Sequence, residues 1–165
     1  MITPLLEGMW QFFVPTHLLA VGALGLLIGQ GRRAVLLAPF ALGFAAGALV
    51  IATAVRETPA ATALLVIAAL AGILVVLAWT SALLGTALAF AAGGAIALNS
   101  PPQALTIPAA IAMQLGAAVA ASATLALIAF IPPRAARPWQ QIGVRVVGSW
   151  ITASAILVLA LRLAR

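Results

Sequence analysis

The chain has no cysteine, no lysine, one histidine and two acidic residues, Glu7 and Glu57, in 165 positions. Without cysteine there is no disulfide, no thiolate metal site and no cysteine nucleophile. One histidine and two carboxylates leave nothing from which to assemble a catalytic triad, a paired-acid site or a zinc motif. No Walker loop or dinucleotide fingerprint occurs either, so an enzyme is not expected. Charged residues make up only 6% of the chain, against about 25% in a soluble domain. So few cannot cover a water-facing surface, and the solvent implied is a lipid bilayer. No linker, low-complexity tail or soluble segment interrupts the chain, which reads as one transmembrane domain over 1–165. Met1–Gly8 has no basic run and contains Glu7, so a cleavable signal peptide is not expected.

What is present is apolar: 65% of residues are hydrophobic. Six runs stand out, at about 10–30, 34–55, 60–78, 80–98, 105–131 and 142–163. Each is close to or above the roughly 20 residues a helix needs to cross about 30 Å of hydrocarbon. The expected fold class is all-α, a polytopic membrane helix bundle of about six transmembrane helices. Thr3-Pro4 and Thr58-Pro59 read as helix starts. Four of the breaks are polar. The fifth, Trp79-Thr80-Ser81, has no charge, Gly or Pro; it is placed there because an unbroken span of about forty residues would overshoot the bilayer. Five spans is the alternative.

The net charge of +6 comes from eight arginines between or at the ends of the runs. A nucleic-acid footprint would gather them on a soluble face, so no nucleic acid is expected. With six spans, Arg32, Arg33, Arg134, Arg137 and Arg145 share one side, and Arg56, Arg162 and Arg165 the other. The excess puts the Arg32-Arg33 loop in the cytoplasm and both termini outside, in a bacterial inner membrane. Trp10, Trp79 and Trp139 fall near span ends, where interfacial anchors belong. Gly25 with Gly29, and Gly43 with Gly47, are small-xxx-small pairs. They fit a homo-oligomer face or, as the better expectation, contacts between helices of one bundle.

Polar residues inside the spans are expensive in lipid, so each is a candidate. His17 follows Val14-Pro15-Thr16 in the first span. Pro15 cannot donate an N–H and crowds the carbonyl four residues back, that of Gln11. The two readings are a metal or proton site, and a histidine bridging helices by hydrogen bonds. Gln11, Thr16, Asn99 and Gln114 are the candidate polar lining around it. Gln114 alone suits interhelical hydrogen bonding, and Asn99–Gln103 a loop that its twin prolines would let re-enter the bilayer. Glu57 and Arg145 suit solvated and interfacial positions. Met9 and Met113 are soft ligands better matched to copper(I). No cofactor is evident.

Three stretches resemble the hydrogenase/urease accessory (HupE/UreJ) family of membrane proteins. They are Val14-Pro15-Thr16-His17-Leu18-Leu19-Ala20 running on to Gly25-Leu26, Pro39-Phe40 followed by Gly43 and Gly47, and Leu88-Ala89-Phe90 through Gly93 on to Arg145-Val146-Val147-Gly148. The resemblance implies a small permease for nickel or cobalt, with a divalent metal as passing substrate. It makes His17 the counterpart of a ligand histidine. Thr16 stands where the family has Asp, Trp10 near an earlier His, and Ala92–Ala97 where the family has a histidine cluster. Most of the implied ligands are therefore missing. Two functions are expected to compete: a permease-like protein, and a non-transporting accessory or structural subunit held by a membrane partner. A proton or small-solute channel is a third.

Overall fold

The computed structural model describes residues 2–31, 37–53, 60–79, 81–103, 106–134 and 137–164. The described residues are all-α, without strands: α1 (Ile2–Phe12), α2 (Pro15–Gln30), α3 (Leu37–Thr53), α4 (Ala60–Leu77), α5 (Ala82–Leu98), α6 (Ile107–Ala129), α7 (Ile131–Arg134) and α8 (Pro138–Leu163). Arg32, Arg33, Arg56, Glu57, Thr58, Pro59 and Arg165 lie outside the described residues.

α4, α6 and α8 are long and apolar enough to cross a membrane, and the bent pair α1 and α2 makes a fourth span if counted as one. α3 and α5 are equally apolar and just shorter, at 17 residues each. In α4 the exposed side chains Val66, Leu70, Ile73 and Leu77 recur at helical spacing, as do Ile111, Leu115, Val119 and Leu127 in α6. Contiguous apolar stripes of this length on an outer surface would be costly in water and cost nothing in lipid.

α2 is the hub. Every residue from Ala20 to Gly29 is buried, which fits a helix that is hydrophobic on all sides. It is packed by α4, α5, α6 and α8. Glycines set the close approaches. A Cβ on Gly25 would meet Ile128 at 2.8 Å, and one on Gly29 would run into the carbonyl of Ala129 and the ring of Pro132. α2 and α6 are therefore parallel. α3 and α5 cross with Gly43 against the carbonyl of Phe90, Gly47 against that of Gly94, and Gly93 against that of Phe40. α4 and α8 are antiparallel, Gly72 facing Thr152 and Gly148 facing Val75. The four glycines singled out from the sequence are thus all used inside the chain. The directions alternate from α2 to α8, so the bundle has two ends. One holds His17, the other Gln30.

In the break without charge, Gly or Pro, Thr80 lies outside the described residues, and the residues on either side of it are defined. Ala78 donates to Val75 O at 3.1 Å and Trp79 to Leu74 O at 3.0 Å, the paired bonds of a Schellman ending. Ala78 takes φ 52°, a conformation that costs a non-glycine residue about 1–2 kcal/mol. Ser81 then caps α5, accepting from the Leu84 N–H. Ala78→Gly is expected to raise stability by about 1 kcal/mol, read from the unfolding midpoint in detergent. An unchanged or lower midpoint would reject the left-handed assignment.

Candidate functional site: the broken first span

The first apolar run is not one helix. α1 and α2 meet at an angle of 74°. The cause is Pro15, acting differently from the sequence expectation. Rather than kinking a continuous helix, it stands at the first turn of α2, where its missing N–H costs nothing. The residue before a proline is driven out of the helical region, and Val14 is extended at φ −100°, ψ 142°. The chain therefore leaves helix at Phe13–Val14. The carbonyl that this exposes for other use is that of Phe12, not of Gln11. It accepts the Val14 N–H at 2.7 Å and lies 3.0 Å from His17 Nδ1.

That contact fixes the histidine. A carbonyl only accepts, so Nδ1 carries the proton and Nε2 keeps a lone pair. The Asn99 amide nitrogen lies 2.9 Å from Nε2 and donates to it. The imidazole stacks on the Phe12 ring, centroids 5.8 Å apart, and is 1% exposed. His17 thus ties the break of the first span to the end of α5, where Asn99 is the C-cap residue.

Asn99 opens the second break. The chain leaves α5 there and starts α6 at Ile107. Gln114, in the second turn of α6, donates from Nε2 to the Ser100 carbonyl at 3.0 Å. The loop is therefore held about 10 Å along α6 rather than at its tip. Continuing the α2–α6 register, with Gly25 beside Leu125–Ile128 and Gly29 beside Ala129, puts His17 roughly level with Ala117, about 15 Å from the start of α6. α1 lies along the outer stretch, Gly8 against the Met113 backbone and Gly116 against the Leu5 carbonyl.

Two oxygens here are unsatisfied. Ser100 Oγ and Gln114 Oε1 are buried and have no hydrogen-bond partner among the described residues. A buried oxygen without a donor is rare and points to a water or ion that belongs there. The remaining candidates sit nearby in sequence. Gln11 is half-buried in the last turn of α1, and Thr16 is half-buried in the first turn of α2. Met113 is buried, and its backbone carries the α1 contact. Ser100 is the residue that sequence reasoning undervalued; only its place beside Asn99 and two prolines marked it. Among the described residues no three His, Cys, Asp or Glu side chains gather as a metal cluster, and His17 is the only imidazole in the chain. Comparison with family models, with curated proteins and with solved structures found no match.

Proposed function

We propose that the chain is an integral protein of the bacterial inner membrane, with six spans and both termini outside, and a permease-like site of HupE/UreJ type for a divalent metal ion such as nickel or cobalt. The observation that carries the reading is the meeting of two chain breaks at His17, beside the unsatisfied oxygens of Ser100 and Gln114. Broken helices at membrane depth are tolerated where they line a substrate path. The ligands this reading would use are Nε2 of His17, the side-chain oxygens of Asn99 and Gln114, and the Ser100 hydroxyl. Imidazole with neutral oxygens suits borderline divalent ions. Asn99 has to turn its amide, withdrawing the NH2 from Nε2 and offering its oxygen, for the ion to bind. The Phe12 carbonyl then orients the ring from behind, the usual support of a ligating histidine.

A second reading has its own observation. Both ring nitrogens of His17 are already hydrogen-bonded and the ring is sealed. A site closed this well suits an accessory subunit that keeps the fold for a membrane partner.

The test is uptake. The chain is expressed in cells lacking their own nickel and cobalt importers, and accumulated metal is measured. Ser100→Ala separates the readings. Removing an unpaired hydroxyl is expected to change stability by less than about 0.5 kcal/mol. Metal accumulation is expected to fall several-fold if that oxygen meets the ion. Accumulation no higher than in cells without the protein, with the chain folded in the membrane, would favour the accessory reading.

A further inference from the structure

At the end of the bundle opposite His17, Leu26 of α2, Ile131 of α7, and Trp139, Gln140, Gly143, Val144 and Val147 of α8 enclose an open groove of about 510 Å³. Its wall is almost wholly apolar. Trp139 is 64% exposed at its mouth, and an exposed tryptophan at a helix start marks the headgroup level. From there the groove follows α8 inward by two turns to Val147, about 12 Å. A Cβ on Gly143 would meet nothing within 4 Å, so the space above it is open.

One arginine stands at the start of α8, next to the mouth. Arg137 caps α8 one turn before Gln140, which lines the groove, and its backbone N–H donates to the Gln140 side chain at 3.0 Å. Arg134 closes α7. No acid occurs in α7 or α8, and Glu7 is on α1.

We infer that this groove is a binding site for an anionic phospholipid, its phosphate at Arg137 and one acyl chain lying over Gly143 against Leu26, Val144 and Val147. The apolar wall matches the acyl chain, and the cationic Arg137 next to Gln140 matches the anionic headgroup; basic recesses between membrane helices bind acidic lipids on the same grounds. The inference is independent of any transport.

Native mass spectrometry of the detergent-purified protein, titrated with phosphatidylglycerol and with phosphatidylcholine of the same chains, tests it. The wild type is expected to retain one phosphatidylglycerol at least tenfold more strongly than phosphatidylcholine. Arg137→Gln is expected to abolish that preference while Arg162→Gln, at the opposite end, keeps it. Gly143→Leu adds a side chain whose Cβ meets nothing within 4 Å and is expected to weaken both lipids tenfold or more. Equal retention of the two lipids by the wild type would overturn the inference. So would a preference surviving in both Arg137→Gln and Gly143→Leu. Should Gly143→Leu not fold, Val147→Ser tests the same wall, with the same reading of each outcome.

Discussion

Gly43→Ala is expected to destabilise the bundle by roughly 3 kcal/mol, while Gly143→Ala is expected to stabilise it by up to about 1 kcal/mol. The two substitutions add the same methyl group to a helix, and in isolation each would help by raising helix propensity. The sign is decided by what the methyl meets. At Gly43 it falls on the Phe90 carbonyl of α5, a backbone atom that no rotamer change can move. The α3–α5 crossing has to open, and the contacts along both helices loosen with it. Gly93→Ala meets the Phe40 carbonyl from the other side and is expected to cost as much. The double variant is expected to cost less than the sum, because one separation of the helices relieves both clashes. Gly94→Ala grades the series: its Cβ would stand 3.3 Å from the Gly43 carbonyl, a contact absorbed by a small shift, with a cost under about 1 kcal/mol. Unfolding midpoints in mixed micelles measure all of them. A Gly43→Ala midpoint within error of wild type would rule out the close crossing of α3 and α5.

This series also shows where a single sequence stops being informative. Gly25, Gly29, Gly43 and Gly47 were visible because each pair repeats at four residues on its own helix. Gly8, Gly72, Gly93, Gly116 and Gly148 make equally close contacts without such a repeat. Their pairing lies across helices, Gly8 and Gly116 at one crossing, Gly72 and Gly148 at another. The apolar runs were legible because hydropathy is a local property, and α2 to α6 and α8 end within a few residues of the expected spans, whereas α1 (Ile2–Phe12) lies mostly before the first of them. The ending of α4 was placed by length alone, since the αL residue there is Ala78 and carries none of the usual punctuation. Pro15 was legible as a disturbance, but its consequence was not. The same residue kinks a helix from its middle and starts one from its first turn, and the 74° bend between α1 and α2 follows from the second behaviour. His17 and Asn99 were each legible as polar residues in lipid. Their bond, across 82 positions, was not, because it needs both breaks to meet.

That bond supports the other large expectation. His17→Ala is expected to cost about 3 kcal/mol, since it removes the donor to Phe12 and the acceptor for Asn99 and leaves a void beside the Phe12 ring. Asn99→Ala is expected to cost about 1–2 kcal/mol by leaving Nε2 without a donor. Because the two side chains serve each other, the double variant is expected to fall short of the sum by about 1 kcal/mol. Additivity would mean that the 2.9 Å contact contributes nothing. Uptake then separates stability from transport. Gly25→Ala, which forces a Cβ against Ile128 well away from His17, provides a chain weakened elsewhere. If the permease reading holds, metal accumulated per folded molecule drops at least tenfold in His17→Ala and is kept in Gly25→Ala. Asn99→Asp sharpens the comparison: it retains an oxygen for the ion while giving up the amide donor to Nε2, so accumulation is expected to survive better than in Asn99→Ala. Equal accumulation in wild type and His17→Ala, at equal amounts of folded protein, would leave the histidine as a strut between two broken helices and give the accessory reading the stronger case.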